Sequence, residues 1–241
     1  MLNEKTIAFI GSGIMAEAII KGLLRQGLVT PDKIIASGPR PERGQELFDR
    51  YGVRTTTENV SAADGAQVVV LSVKPQVLCR VLEELGDHVD PGALVISIVA
   101  GAKTDTIQRM LGTPAVVRVM PNTPAQIGLG ISVWTDTEAT TEAQKEQALA
   151  ILRALGEEVY VDDEGDMDMA TALSGTGPAY VFLLMEAMVD AGVHLGFSRH
   201  VSERLVVETL RGSVEYARQS PRHLAALRNQ VTSPGGRKAR L

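Results

Sequence analysis

The sequence predicts an α/β fold in which a mostly parallel, doubly wound sheet is followed by an all-helical C-terminal domain. Up to about residue 160, short apolar runs alternate with helical patterns, as in a parallel sheet that is covered by helices on both faces. From Met167 onward the periodic segments are all helical. We therefore expect one domain over residues 1–164 and a second, helical domain over residues 165–241.

The first element couples a strand to a glycine-rich turn. The apolar run from Lys5 to Ile10 leads directly into Gly11-Ser12-Gly13, and a helical pattern follows. Gly11 permits a tight turn, Gly13 lets backbone N–H groups approach a phosphate, and Ala16 keeps the helix close to the strand. Together with the helix N-terminus, these residues are typical of a Rossmann-type dinucleotide-binding turn rather than of an ordinary one.

The other elements of the first domain follow in alternation. Strands are expected at 33–37, 68–73, 93–98 and 115–119, and helices at 43–51, 76–85 and 103–111; strands at 130–134 and 158–161 would flank a helix at 141–155 and finish the sheet. Unusual residues follow the buried strands, namely Ser37-Gly38-Pro39-Arg40, Val73-Lys74-Pro75, Val99-Ala100-Gly101 and Met120-Pro121-Asn122-Thr123-Pro124. Ligands bind beyond the carboxyl ends of parallel strands, so these residues mark the expected binding edge.

The end of the second strand indicates which nicotinamide cofactor is bound. NAD-binding folds place an acidic residue there to bind the ribose 2′-OH. This chain has Ser37 and Arg40 instead, a hydroxyl and a guanidinium that suit a 2′-phosphate. A charge-assisted contact of that kind favours the phosphorylated cofactor by about tenfold to hundredfold. We expect NADPH, with NADH possible because Glu42 is close in sequence.

The helical domain carries more apolar surface than it can bury alone. Helical patterns cover 169–173, 179–195 and 201–218, and the second of these is apolar on more than one face, from Val181 to Val189. Such surface must pack against another chain or against the sheet domain. We expect self-association through the helical domain, with a large contact inside the chain as the alternative.

Composition limits the compartment and the partners. The net charge of −5 and the isoelectric point near 5.5 give no reason to expect nucleic acid or an anionic membrane. We expect no stretch that is both long and apolar enough to span a bilayer. The N-terminus lacks the pattern of a secretory signal, and Cys79 is the single cysteine, so we expect a cytoplasmic protein. Four scattered histidines with no zinc-binding spacing predict no metal site.

Five motifs, taken in order, resemble one enzyme family. They are GSGIMA at 11–16, VKP at 73–75, PNTP at 121–124, SGTGPAY at 174–180 and TSPGG at 232–236. This series is similar to that of the pyrroline-5-carboxylate reductases, which complete proline biosynthesis. The resemblance implies reduction of the cyclic imine 1-pyrroline-5-carboxylate to L-proline by hydride transfer from NAD(P)H, in a dimer or a larger ring.

The resemblance also implies where the ligands bind. The cofactor would lie on Gly11, Ser12, Gly13, Ile14, Met15, Ala16, Ser37, Arg40, Asn59, Val73, Lys74, Pro75, Ala100 and Gly101. The substrate carboxylate would be held by Ser233, Pro234, Gly235 and Gly236, with Glu164 and Ser174 nearby and Asn122 as a further candidate. No catalytic residue is assigned, because a protonated C=N bond already carries positive charge and needs placement more than a strong acid.

The sequence departs from the family pattern after Gly236. Arg237 and Lys238 stand where the family has a small residue and a threonine, and a closing helix is not present, so we interpret the C-terminus as shortened. Two alternatives therefore stay open. One is a cofactor-binding homologue with little or no activity that acts as a regulatory or structural subunit. The other is a β-hydroxyacid dehydrogenase-type reductase, which would need an acid-base lysine that the segment 174–180 lacks.

Overall fold

A computed structural model describes residues 2–232 of the chain. It divides into two compact units between Pro178 and Ala179. This division lies later than the boundary expected between residues 164 and 165, because the segment Asp166–Ala170 contacts two strands of the sheet. The first helices of the predicted helical domain therefore pack with the sheet.

The first unit is built on one sheet of eight strands. They are β1 (Ile7–Ile10), β2 (Ile34–Ser37), β3 (Arg54–Thr56), β4 (Val68–Leu71), β5 (Leu94–Ser97), β6 (Val116–Met120), β7 (Gly130–Asp136) and β8 (Gly156–Tyr160). Their order is β3-β2-β1-β4-β5-β6-β7-β8, and every neighbouring pair is parallel except β6 and β7. The predicted mostly parallel, doubly wound sheet is confirmed, and β3 is a strand that the sequence did not reveal.

Seven helices connect or flank these strands. They are α1 (Ile14–Arg25), α2 (Pro41–Tyr51), α3 (Asn59–Ala63), α4 (Leu78–Leu85), α5 (Thr104–Leu111), α6 (Glu142–Arg153) and α7 (Asp166–Ala170). A π-helical turn, Thr171–Gly175, follows α7 directly. Turns of this kind occur often at functional sites.

The sheet separates two apolar layers. Alternate residues of β1 enter different layers: Ile7 and Phe9 pack with α1 and α6, whereas Ala8 and Ile10 pack with α3, α4 and α5. This alternation follows from the two-residue period of a strand. Because both faces are covered, the central strands are fully buried, and their carboxyl ends form an edge at which a ligand can bind.

The second unit contains the helices α9 (Arg199–Gln219) and α10 (Leu224–Val231) and most of α8 (Gly177–His194). α8 and α9 approach closely where Gly192 faces Ser202, since a Cβ on Gly192 would lie 2.6 Å from the Ser202 hydroxyl oxygen. An ion pair of 2.9 Å between Arg199 and Asp190 joins the same two helices. These contacts define a helical hairpin.

The expectation that no stretch of the chain is long and apolar enough to span a bilayer is wrong. Among the described residues, the continuous helical segment Asp166–His194 is long and apolar enough to cross a membrane by length and composition. Large side chains of α8 are exposed in the single chain, for example Phe182 and Leu183 at 61% and 66%. Length and composition do not distinguish a membrane span from a helix that is covered by a second protein chain.

Candidate active site

The turn between β1 and α1 contains two glycines with different roles. Gly11 has φ +104°, and a Cβ there would lie 2.6 Å from the Ser72 carbonyl oxygen, so the fold itself requires glycine. Gly13 has an ordinary φ of −74°, and nothing lies within 4 Å of the position of its Cβ. The chain alone does not need glycine at this second position, and the open space suits a ligand that approaches the backbone.

The same turn presents hydrogen-bond donors. Within residues 2–232, no acceptor is found for the backbone N–H groups of Ser12, Gly13 and Ile14. They stand at the N-terminus of a helix of 12 residues, where the helix dipole favours an anion. Free donors, positive potential and space over Gly13 together fit a dinucleotide pyrophosphate.

The turn opens into a cleft of about 540 Å³ at the carboxyl edge of the sheet. Seven of the predicted cofactor residues line it: Gly11, Ser12, Gly13, Arg40, Asn59, Val73 and Lys74. The lining also includes Gly38 and Pro39, which belong to the expected binding edge after β2. Five further lining residues were not predicted from the sequence, namely Thr57, Ser72, Val77, Arg80 and Val81. Val77 and Val81 are four positions apart, so they lie on the same face of a helix. That spacing in the sequence could have indicated that both valines line the cleft.

The other predicted cofactor residues do not line the cleft. Ile14, Met15 and Ala16 form the first turn of α1, and Ala16 is buried in the core against the sheet. Pro75 begins a short 3₁₀ turn, and Ala100 and Gly101 follow the neighbouring strand β5. Ala100 and Gly101 still lie at the carboxyl edge of the sheet, because they follow β5, which is the neighbour of β4.

The expectation for Ser37 needs correction. Its side chain is fully buried, and its hydroxyl donates its single proton to Oδ1 of Asn59 at 2.8 Å, with the carbonyl oxygen of Phe9 as a second acceptor at 3.2 Å. The Asn59 amide in turn donates to Glu84 at 2.9 Å. The Ser37 hydroxyl therefore orients Asn59, which lines the cleft, and does not itself face a phosphate.

Three cations of the cleft have no ion-pair partner among the described residues. Arg40 precedes α2, Lys74 follows β4, and Arg80 lies on α4; all three are exposed. Arg80 was not predicted, because nothing in the sequence distinguishes it from a solvated helix residue. Three unpaired positive charges around one cleft suit an anionic ligand.

Arg43 lies outside the cleft lining and is held in a charged network. It pairs with Glu17 on α1 and, at 2.9 Å, with Glu46 on its own helix. Glu17 also accepts hydrogen bonds from Arg50 at 3.0 Å and from Tyr51 at 2.8 Å. Burial alone would raise the pKa of Glu17, but these hydrogen bonds, led by that of Arg43, outweigh it and hold the pKa below its ordinary value.

Two of the predicted substrate residues meet at the same edge of the sheet. The Asn122 amide donates to the Ser174 carbonyl oxygen at 3.2 Å, and its Oδ1 accepts from the Ile131 N–H at 3.0 Å. Gly175 packs so closely that a Cβ would lie 2.6 Å from the Met120 methyl carbon. The π-helical turn is thereby fixed against the loop after β6.

Glu164 has structural partners instead of a free carboxylate. It accepts from the backbone N–H and hydroxyl of Thr104 at 2.9 and 3.1 Å, at the start of α5. It also pairs at 3.1 Å with Arg118, whose side chain is 5% exposed and which reaches Asp168 at 3.0 Å. Glu164 thus caps α5 and neutralises a buried arginine, and its place near the substrate carboxylate stays a prediction.

Some predicted residues are not covered. The predicted substrate-carboxylate turn and the two cations after it lie outside the described residues; they are Ser233, Pro234, Gly235, Gly236, Arg237 and Lys238. Within residues 2–232, no three histidine, cysteine, aspartate or glutamate side chains are grouped so that they could hold a metal ion.

Two family models match the chain. A model described as pyrroline-5-carboxylate reductase dimerisation matches residues 164–240. A model described as NADP oxidoreductase, coenzyme F420-dependent, matches residues 6–101, which include the turn, the cleft and the first five strands. The second match agrees with the fold of the cofactor-binding region.

Relatives are similar over nearly the whole chain. A pyrroline-5-carboxylate reductase of Pseudomonas aeruginosa is 43% identical over 236 residues, which are 98% of this chain and 86% of the relative. The solved structure of a pyrroline-5-carboxylate reductase from Coxiella burnetii is 37% identical, with a TM-score of 0.87 over 98% of this chain and 87% of that one. That of the Plasmodium falciparum enzyme with NADP bound is 31% identical, with a TM-score of 0.88 over 97% and 86%. The chain belongs to the pyrroline-5-carboxylate reductase family.

Proposed function

We propose that this protein is an oxidoreductase that uses NADPH to reduce the C=N bond of 1-pyrroline-5-carboxylate, which yields L-proline. The observation that carries the proposal is similarity over 98% of the chain to a pyrroline-5-carboxylate reductase at 43% identity. The cleft supports it independently, because free N–H donors, unpaired cations and the space over Gly13 suit NADPH.

The cofactor would be bound by backbone and by charge. The N–H groups of Ser12 and Gly13 would donate to the pyrophosphate, and Arg40, with Lys74 and Arg80 in the same cleft, would attract the 2′-phosphate. Bound NADPH supplies the hydride for the reduction. NADH lacks the 2′-phosphate and would bind the same turn more weakly.

The substrate would be held beside the cleft at the carboxyl edge of the sheet. We propose that Asn122 and Ser174 shape this part of the site, since they join the loop after β6 to the π-helical turn. The backbone of 233–236 would bind the substrate carboxylate, as the family resemblance implies. Such positioning alone contributes much of the rate when the C=N nitrogen is already protonated.

The two predicted domains would have different functions. We propose that residues 1–164 bind the cofactor and that residues 165–241 form the dimer and complete the substrate site. The match of residues 164–240 to a dimerisation model and the exposed apolar side chains of α8 support self-association, as a dimer or a larger ring. A second copy of the chain that packs on α8 would cover these apolar side chains.

We also propose that the protein is cytoplasmic and that it binds neither nucleic acid nor a membrane.

The proposal is tested with the purified full chain. NADPH oxidation that depends on added 1-pyrroline-5-carboxylate, with proline identified as the product, is the expected result. Multi-angle light scattering on the same sample should report a dimer or a larger assembly. Binding of NADPH without substrate-dependent oxidation would overturn the enzymatic proposal and support the inactive homologue instead.

A further inference from the structure

We propose that Arg43 is a positioning residue for cofactor binding. It fixes the peptide group between Ser12 and Gly13 so that the N–H of Gly13 faces the cleft. This inference rests on the proposed use of a nicotinamide dinucleotide. Arg43 lies on α2, outside the cleft lining, and nothing in the sequence marks it as more than a solvated residue at a helix start.

The contact that carries the inference is a hydrogen bond of 3.0 Å from Nε of Arg43 to the carbonyl oxygen of Ser12. A trans peptide group is planar, and its C=O and N–H point in opposite directions. Because the Ser12 carbonyl is held toward Arg43, the N–H of Gly13 is directed away from Arg43. Gly13 lines the cleft, and its N–H has no acceptor among the described residues.

The guanidinium is itself held in place. Its Nη1 donates to Glu46 at 2.9 Å and its Nη2 to Glu17, and the Arg43 side chain is only 13% exposed. Glu17 lies in the first turn of α1, immediately after the glycine-rich turn. Arg43 therefore binds both the turn and the helix that follows it, and each of its three nitrogens donates a hydrogen bond to the protein.

A second contact holds the preceding peptide group. The hydroxyl of Ser72, after β4, donates to the carbonyl oxygen of Gly11 at 2.7 Å. By the same geometry, the N–H of Ser12 is directed away from Ser72. Two successive donors are thus oriented before a ligand arrives, which lowers the entropic cost of binding a pyrophosphate.

The role assigned to Arg43 differs from that of Arg40 in a measurable way. Both NADPH and NADH carry the pyrophosphate, whereas only NADPH carries the 2′-phosphate. Loss of a residue that positions the turn should weaken both cofactors by the same factor. Loss of a residue that binds the 2′-phosphate should weaken NADPH alone.

The test is fluorescence titration of the full chain with NADPH and with NADH. Arg43→Met keeps the length of the side chain and removes its donors; Arg50→Met is the matched control, because Arg50 also pairs with Glu17 but does not contact Ser12. We expect Arg43→Met to raise both dissociation constants by about tenfold with their ratio unchanged, and to raise the KM for cofactor more than it lowers kcat. Arg50→Met should stay within about twofold of wild type, as for an exposed pair.

Glu17→Gln keeps the inference testable if Arg43→Met does not fold. Glutamine still accepts a hydrogen bond from Arg43 but loses the charge, so we expect a smaller rise, again equal for the two cofactors. Unchanged dissociation constants with fewer binding sites would mean a purely structural role and would overturn the inference. A selective loss of NADPH would also overturn it, because Arg43 would then bind the 2′-phosphate. Failure of the wild-type chain to bind either cofactor would instead overturn the proposed function, and this inference with it.

Discussion

Replacing Arg118 with methionine should destabilise the sheet unit without abolishing cofactor binding. Arg118 lies on β6 with a buried side chain, and its guanidinium joins Glu164 and Asp168, which lie before and in α7. Glu164 also caps α5. The substitution therefore removes the charge that connects the start of the helical segment to the sheet, while it preserves most of the buried apolar volume.

The expected magnitude follows from the exposure of the two carboxylates. The Asp168 side chain is 78% exposed and regains water when the pair is broken, so its contribution is about 0.5 kcal/mol. The Glu164 side chain is 30% exposed, and its charged hydrogen bond contributes about 1.5–2.5 kcal/mol. Together these give about 2–3 kcal/mol, equivalent to a fall in Tm of roughly 4–12 °C for a unit of this size.

Thermal unfolding followed by circular dichroism, with and without NADPH, measures this change. Glu164→Gln is the companion variant: if Glu164 is a cap and a counterion, its Tm falls while the KM for 1-pyrroline-5-carboxylate stays within about twofold of wild type. An Arg118→Met variant as stable as wild type would refute the stability argument. A large rise in KM for Glu164→Gln would return that carboxylate to the substrate site.

Three further predictions concern the cofactor cleft and its support. Gly13→Val should abolish measurable NADPH binding and leave the Tm nearly unchanged, because its side chain enters the open space of the cleft; unaltered affinity in a titration would mean that the pyrophosphate binds elsewhere. Arg40→Ala should weaken NADPH about tenfold and NADH little; an equal loss for both would place the 2′-phosphate contact on another residue. Because the pKa of Glu17 is lowered in the folded chain, its contribution to stability is present above its ordinary value of 4.5 and is lost as the pH falls through the lower folded value. The Tm of wild type should thus fall more steeply below pH 4.5 than that of Glu17→Gln, and parallel curves would contradict this.

The strand-turn-helix at the N-terminus was predictable because its signals are local. An apolar run, two glycines and a helical pattern fix β1, the turn and α1 without knowledge of the rest of the chain. β3 was missed because Arg54–Thr56 has three residues and no apolar alternation. α3 was missed for a similar reason, since five residues carry too little periodicity to be recognised.

The site was less predictable because orientation and partners depend on tertiary structure. Ser37 ends β2 as expected, but its position in the strand directs its hydroxyl into the protein, toward Phe9 and Asn59. Glu164 was predicted to lie near the substrate, but its partners in the fold, Thr104 and Arg118, come from 60 and 46 residues earlier in the chain. No pattern in the sequence reports such distant pairing.

The two ends of the sheet bear on how the protein avoids aggregation. An unpaired edge strand offers a template on which another chain can add by hydrogen bonding. Here one edge is β3, only three residues long and beginning with the exposed Arg54, and the other is β8, which carries Glu157 and Glu158 in succession. The brevity of β3 and the exposed carboxylate of Glu157 on β8 discourage extension of the sheet from chain to chain, whereas Glu158 is paired with Arg153 at 3.3 Å. Association is thereby left to side-chain packing of helices, which can close on itself in a defined number of copies.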